Sequence, residues 1–245
     1  MLKVDLHIHA CEDKADSHIT YSAKKLIDKA EILGFDALAF TFHHQFFWNK
    51  EIQTYAHKKG ILLIPGSEMI IEGKDVLVYN ITKKHLNSIK TFNDLRALKK
   101  KNKNIFVIAA HPYYPGKICL GDLLDTHYDL FDAIEYCWLH TKWFSWNKKA
   151  VMASKKYRIP LVATSDAHYL DYFGRSYIKV KTTEKTKKDI FTQIKKGNIE
   201  IYSPPLTIWQ ILIFIYRIFK EQITLQSKKN KYRTYLGELR CRNQL

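Results

Sequence analysis

The chain has 245 residues, with 40 lysines and arginines against 24 aspartates and glutamates, and a formal charge of +16 at pH 7. This length fits one α/β domain with a short appendage and argues against two full domains. The basic balance favours an anionic substrate. The lysines fall in short runs such as Lys99–Lys101, which are typical of solvated helix faces, so a nucleic-acid partner is not favoured.

The cysteines and the first residues bear on where the protein works. Cys11, Cys119, Cys137 and Cys241 show no paired CxxC spacing, which is typical of a reduced compartment. The first predicted strand begins almost at Met1 and leaves no room for a signal peptide. We therefore predict a cytoplasmic protein.

Five short apolar runs each stop on a histidine or a carboxylate. They predict buried strands whose C-terminal ends carry the chemistry, because a parallel α/β barrel collects its functional residues there. Side chains at i and i+2 of a strand point the same way, so His7 and His9 can hold one ion together. The same holds for Asp166 and His168. The runs are Val4–His9, Ala37–His43, Ile61–Glu68, Phe106–Pro112 and Leu161–His168.

The segments between these runs predict helices. Apolar residues from Ala23 to Leu33 recur at helical spacing before Gly34, which can take the left-handed stop. Thr91 can cap a second helix, with Asp94 three residues on. Further strands are predicted at Ala133–Cys137 and Tyr177–Val180, and a helix at Ile190–Ile194. The alternation of strand and helix predicts an α/β fold and excludes an all-β fold or a helical bundle.

Imidazole and carboxylate groups at five strand ends together predict a cluster of metal ions. A lone HxH pair would be weak evidence, since alternating histidines also occur on ordinary sheets. A ligand set of this kind without a thiolate suits zinc, manganese or iron rather than calcium or a structural zinc site.

These motifs resemble the polymerase and histidinol phosphatase (PHP) family of metal-dependent phosphoesterases, over residues 5 to about 202. The resemblance implies a distorted seven-stranded (β/α)7 TIM-like barrel, which we place over residues 1–203. The composition changes after Ser203, and residues 204–245 predict an amphipathic helix and a basic tail. The resemblance further implies two or three divalent ions and a phosphomonoester or phosphodiester substrate. The motifs are Asp5–His9, Thr41–His43, Pro65–Glu68, His111–Pro112 and Ser165–His168.

The resemblance also implies roles for individual residues. It places catalysis on Glu68, Asp166 and His168. Glu68 would bridge two ions, a bound water would become the attacking hydroxide, and His168 or another bound water would protonate the leaving group. The implied ligands are His7, His9 and Asp166 on one ion, His111 and Asp75 on the next, and His43, His168 and Asp16 on the third.

Three positions depart from the family pattern, and they affect the third ion most. Phe42 stands where the family usually has aspartate, which removes a carboxylate behind His43. Asp75 stands where related sequences commonly have histidine. The acidic ligand after the first motif is assigned to Asp16, with Asp13 and His18 as rivals.

Other residues near the motifs have two readings each. Lys117 and Arg175, with Tyr113 and Tyr114, either contact the phosphate or are solvated loop residues. The aromatic stretch 138–146, which includes His140, is either a lid or base-stacking wall over the site or ordinary packing.

The apolar segment 206–219 is too short to cross a membrane, and Gln210 and Arg217 interrupt it. Its wide apolar face predicts packing on the barrel, a homo-oligomer, or a peripheral membrane contact helped by the basic residues of 228–242. The apolar face comprises Trp209, Leu212, Ile213, Tyr216 and Phe219.

The sequence therefore predicts a hydrolase of small phosphorylated molecules, with a nucleotide- or sugar-like monoester ahead of histidinol phosphate and no organic cofactor. One alternative is a nuclease-type hydrolase that acts on nucleic-acid ends. The other is a metal-binding structural module with reduced activity, since Phe42 and Asp75 depart from the family pattern.

Overall fold

The computed structural model describes residues 1–16 and 18–220. The chain divides into two units, Met1–Pro205 and Leu206–Leu245. The strands of the first unit form two sheets of five strands each. In chain order they are β1 (Leu2–Ile8), β2 (Ala37–Phe40), β3 (Leu62–Leu63), β4 (Gly66–Ile71), β5 (Lys74–Tyr79), β6 (Phe106–Ala109), β7 (Ala133–Tyr136), β8 (Leu161–Ala163), β9 (Tyr177–Val180) and β10 (Ile199–Tyr202).

Both sheets are mixed. The first has the order β10-β9-β1-β2-β3; β1, β2 and β3 run parallel, and β9 and β10 are added as antiparallel strands. The second has the order β4-β5-β6-β7-β8; β4, β5 and β6 are antiparallel neighbours, and β6, β7 and β8 run parallel. The parallel strands bring their carboxyl ends to one edge of each sheet.

The predicted seven-stranded (β/α)7 TIM-like barrel is wrong, because the strands described here form two sheets and no closed barrel. Strand β3 has only two residues, and Pro65 follows, which has no N–H to donate to a neighbouring strand. The next two strands join through a tight turn at Glu72 and Gly73, both with positive φ. Such a turn leaves no room for the crossover helix that parallel strands need.

The helices lie between strands, and α1, α4 and α7 lie at the three places predicted for helices. Helix α1 is followed by Gly34 with φ +68°, and α7 by Gly197 with φ +72°. Thr91 and Asp94 form a reciprocal capping box at the start of α4. The helices are α1 (Ala23–Ile32), α2 (Lys50–Lys58), α3 (Lys83–Ser88), α4 (Phe92–Lys101), α5 (Leu123–His127), α6 (Asn147–Tyr157) and α7 (Lys187–Lys195).

Apolar packing holds the two sheets together. One buried cluster takes Leu6 and Ile178 from the first sheet and Leu77 and Ile108 from the second. Each large apolar side chain buried in this way contributes about 1.5–3 kcal/mol. Tyr79 adds a hydrogen bond of 2.6 Å from its hydroxyl to the carbonyl of Leu6, so the core fixes the strand ends relative to one another.

The second unit is described only up to residue 220, and it is helical from 208 to 220. Trp209 is 73% exposed and Tyr216 65%. Within the described ranges, no helix is long and apolar enough to cross a membrane. The predicted basic tail, 228–242, lies outside the described residues.

Candidate metal centre

Eight of the nine predicted ligands come from six strands or strand ends, and Asp16 lies in the loop that follows β1; all nine meet in one largely buried region. His7 lies in β1 and His9 just after it, His43 follows β2, and Glu68 and Asp75 lie in the hairpin of β4 and β5. The remaining residues of the region are His111, which follows β6, and Asp166 and His168, which follow β8. Their ligand atoms form three groups, each with all atoms within 4.8 Å of one another.

The first group consists of His7, His9 and Asp166. The Nε2 atom of His7 lies 3.4 Å from Oδ1 of Asp166, and that of His9 lies 3.5 Å from the same oxygen. Both imidazoles are fully buried. Alternation along β1 therefore presents the two histidines to one carboxylate.

The second group consists of Glu68, Asp75 and His111. Nε2 of His111 lies 3.1 Å from Oε1 of Glu68. Burial and, after it, repulsion from Glu68 raise the pKa of Asp75 to about 6. Two carboxylates this close repel each other, and a shared cation would relieve that repulsion.

The third group consists of His9, Asp16, His43 and His168. Oδ2 of Asp16 lies 3.1 Å from Nε2 of His168 and 3.2 Å from Nδ1 of His43. Burial opposes protonation of His168, but Asp16 and Asp166 outweigh it and raise its pKa to about 9. The imidazole of His168 therefore holds a proton that a bound cation would displace.

Glu68 belongs to the second group and also contacts a histidine of each of the other two groups. Its Oε2 lies 3.3 Å from Nε2 of His7 and 3.2 Å from Nε2 of His43, while its Oε1 faces His111. Burial disfavours the charged carboxylate, but His7 and His111 outweigh burial and hold its pKa well below the usual range. A carboxylate whose two oxygens face different histidines has the geometry of a bridging ligand.

The donor set fits divalent ions. Nε2 of His9 and Oδ2 of Asp16 are buried and make no hydrogen bond of normal geometry among the described residues, so their polar contacts are close ion pairs such as those given above. Buried charges in proteins are paired or coordinate metals. Imidazole and carboxylate donors suit zinc, manganese or iron. His7, His9, Asp16, His43, Glu68, Asp75, His111, Asp166 and His168 would hold the ions, and these ligand roles remain predictions.

The structure places Asp16 and its two rivals differently. Asp16 belongs to the third group. Asp13 instead accepts hydrogen bonds from Nδ1 of His9 at 3.0 Å and from Nδ1 of His43 at 2.9 Å. His18 stacks on His168 at 5.7 Å between ring centroids. The geometry thus gives Asp13 an orienting position and His18 a packing position, outside the three groups.

The departure at Phe42 has a structural counterpart. Its ring is fully buried and stacks against His9 at 6.5 Å between centroids. The carboxylate that we expected to be missing behind His43 is supplied by Asp13, through the side-chain contact and a 2.9 Å hydrogen bond from the backbone N–H of His43. The loss at position 42 therefore leaves His43 oriented.

Two features of the site were missed in the sequence. The run Ile61–Glu68 is not a single strand with Glu68 at its end, because β3 stops at Leu63 and Glu68 is the third residue of β4. Glu135, in β7, lies behind two predicted ligands: it accepts a 2.8 Å hydrogen bond from Nδ1 of His7 and one of 2.5 Å from the backbone N–H of His111. A carboxylate in the buried run Ala133–Tyr136 was the signal available, since a buried charge requires a partner.

The backbone is unusual at the same place. His111 has φ +24° and Asp166 has φ +43°, both in the left-handed region that residues other than glycine seldom adopt. Strain of this kind persists where surrounding contacts enforce it and is concentrated at functional sites. Glu135 enforces it at His111, and a 2.9 Å hydrogen bond from the Asp166 backbone N–H to the His7 carbonyl does so at Asp166.

Lys117, Arg175 and His140, which the sequence also singled out, belong to none of the three groups. The guanidinium of Arg175 lies over the ring of Tyr172, 6.0 Å from its centroid. The carbonyl of Lys117 accepts a 2.6 Å hydrogen bond from Nζ of Lys74. A phosphate contact by Lys117 or Arg175 stays a prediction. His140 is buried, and its Nε2 lies 3.1 Å from the carbonyl of Ser203.

The segment 144–199 matches the family model PHP_C, described as PHP-associated. No curated protein sequence matches the chain. The fold is similar to that of PsfC from Pseudomonas syringae PB-5123, with a TM-score of 0.59 and 18% identity over 91% of this chain and 98% of that one. It is also similar to a protein of Bifidobacterium adolescentis ATCC 15703 with a provisional assignment as a metal-dependent phosphoesterase, with a TM-score of 0.57 and 14% identity over 78% and 96% of the two chains.

At these identities the two structures show a shared fold. This chain therefore has a mixed α/β fold, and the ends of its strands bring histidines and carboxylates together. The family match at 144–199 confirms the resemblance to the PHP family that the motifs predicted.

Proposed function

We propose that this chain is a metal-dependent phosphoesterase and that it hydrolyses a small phosphomonoester. The observation that carries the proposal is the position of Glu68, whose two carboxylate oxygens face histidines of different groups. The PHP-associated match supports the same class of reaction. So does the provisional assignment of the similar Bifidobacterium protein.

Divalent ions bound here would supply Lewis acidity and would lower the pKa of bound water towards neutrality. The protein's part is to hold them close together. Glu68 joins the groups, and His7 and Asp166 complete one side. His168, with one face of its side chain partly exposed, is placed to orient the ester or its leaving group. The formal charge of +16 attracts an anionic ester towards the site.

A small substrate is favoured over a nucleic acid. The lysines lie in short runs along the helices, such as Lys99–Lys101 at the end of α4. This arrangement is more typical of a solvated helix face than of a groove that binds a polynucleotide backbone.

The experiment combines metal analysis with a substrate panel. Protein purified without chelator should contain at least one divalent ion per chain and should hydrolyse phosphomonoesters faster than diesters or oligonucleotide ends. Glu68→Gln should lose at least one ion and on the order of 100-fold in turnover, because charge stabilisation by a metal amounts to several kcal/mol and each 1.36 kcal/mol is tenfold. Glu184→Gln, at an exposed position, is the matched control.

Other outcomes would overturn parts of the proposal. Turnover of oligonucleotide ends without turnover of small esters would make the chain a nuclease-type hydrolase. Metal bound at full stoichiometry with no turnover of any ester would make it a structural module. Less than about one ion per chain after reconstitution would remove the metal centre itself.

A further inference from the structure

A cavity of about 510 Å³ lies between the segment that follows β6 and the loop that precedes α6. Pockets of some 300–1,000 Å³ are the usual size for small ligands. Four aromatic side chains line it, those of Tyr113, Tyr114, Phe144 and Trp146. Lys148, Lys149 and Asp122 line it as well, so the cavity combines flat apolar walls with a net positive charge.

The cavity adjoins the second metal group. Cys119 lines the cavity, and its Sγ lies 3.4 Å from Nδ1 of His111. The carbonyl of Ile118 accepts a 2.8 Å hydrogen bond from the backbone N–H of Asp75. The segment Ile118–Cys119, at one wall of the cavity, is thus hydrogen-bonded to two residues of the metal centre, His111 and Asp75. An ester held by that group has the cavity beside it.

The aromatic walls are held in place before any ligand binds. The side chain of Asn147 makes two hydrogen bonds of 2.8 Å with the backbone of Cys137, next to the end of β7. Thr141 accepts a 2.8 Å hydrogen bond from the backbone N–H of Phe144. The rings of Phe144 and Trp146 meet edge to face at 4.6 Å. A preorganised wall loses little conformational freedom on binding.

We propose that this cavity binds the alcohol part of the phosphoester and that this alcohol carries a planar aromatic ring. The inference rests on the proposed phosphoesterase function and narrows its substrate class. Phe144 is 53% exposed and Trp146 is 36% exposed, so a flat ring placed against them removes apolar surface from water and stacks on π faces. Lys148 and Lys149 suit the negative charge of the same ester.

The test measures binding of two non-hydrolysable phosphonates to the metal-loaded full chain by calorimetry. They are 2-phenylethylphosphonate and 2-cyclohexylethylphosphonate, which are alike in size and apolarity but differ in planarity. The phenyl compound should bind about tenfold more tightly. Trp146→Ala should remove this preference. Trp143→Ala should keep it, because Trp143 is 83% exposed in the same loop and does not line the cavity.

Phe144→Ala is the second variant and should reduce the preference if Trp146→Ala does not fold. Equal affinities in the unmodified protein, no binding of either phosphonate, or a preference that survives both substitutions would overturn the inference. Hydrolysis of the two matching phosphate esters separates the two proposals. Turnover of both esters without preference refutes the aromatic cavity alone, and the binding preference without any turnover refutes the phosphoesterase alone.

Discussion

Glu135 shows how one side chain organises ligands that come from different strands. It is buried, and its Oε1 accepts a hydrogen bond from Nδ1 of His7, so Nε2 of His7 faces Glu68 and Asp166. Its Oε2 accepts a hydrogen bond from the backbone N–H of His111. Thr164, directly after β8, donates a hydrogen bond to Oε1. A carboxylate behind a metal-ligating histidine fixes its tautomer and ring orientation.

We therefore expect Glu135→Gln to weaken metal binding by about 10–100-fold, the usual effect of losing such a partner. The amide keeps the size of the side chain but removes its charge and sets an N–H donor against the N–H of either His7 or His111. Competition with a chelator measures the change, and Glu184→Gln, at an exposed position, controls for net charge. Unchanged affinity in Glu135→Gln would show that His7 and His111 are oriented without it.

The hairpin of β4 and β5 is the element that carries the centre of the site. Glu68 pairs with Leu77 and Ile70 with Asp75 across the two strands, so period-two alternation puts Glu68 and Asp75 on the same face. Gly66 begins β4 against Tyr79, and a Cβ there would lie 2.7 Å from Cδ1 of the tyrosine ring. The close approach of backbone and ring thus sets where Glu68 lies.

Gly66→Ala should therefore destabilise the fold by about 1–3 kcal/mol, the usual cost of overpacking a core. Tyr79 is fully buried and hydrogen-bonded to Leu6, so its ring cannot give way freely. Thermal unfolding of the metal-free protein measures the effect. Gly116→Ala is the control, because a Cβ at that position would meet its neighbours at 3.7 and 3.8 Å. Equal melting temperatures for Gly66→Ala and the unmodified protein would refute the close-approach argument.

At the scale of the whole molecule, the apolar helix 208–220 exposes large side chains that a binding partner would cover. Trp209, Leu212 and Tyr216 are all half exposed or more. An apolar patch of this kind usually marks an interaction site. Self-association and a peripheral membrane contact through 206–219 remain our proposals for it.

Charge on this face should weaken either kind of association. We expect the pair Leu212→Glu and Tyr216→Glu in the full chain to lower self-association or binding to anionic vesicles by at least about tenfold, because each side chain would otherwise gain on the order of 1.5–3 kcal/mol on burial. Light scattering and vesicle flotation report the two cases. Metal content should stay the same, since every predicted ligand precedes residue 206. Gln210→Glu adds a charge at a polar position of the same helix and is the control. No change in either assay would refute both proposals.

The sequence by itself located most of the candidate ligands that gather at the site and several of the elements that carry them. Apolar runs with polar ends located strands and ligands, because burial and period-two alternation are local properties. The stop at Gly34 and the cap at Thr91 followed from backbone and side-chain chemistry within a few residues. The family motifs supplied the same residues in order.

Only the tertiary structure decided how the strands close around the site. Pairing direction depends on contacts far apart in sequence, so the antiparallel β4, β5, β9 and β10 could not be read from the apolar runs, and a closed parallel barrel was predicted where two mixed sheets form. The contact from Glu135 to His7 spans 128 residues and that from Asp13 to His43 spans 30. Such contacts leave no local period in the sequence, and folding alone brings these carboxylates behind the histidines they orient.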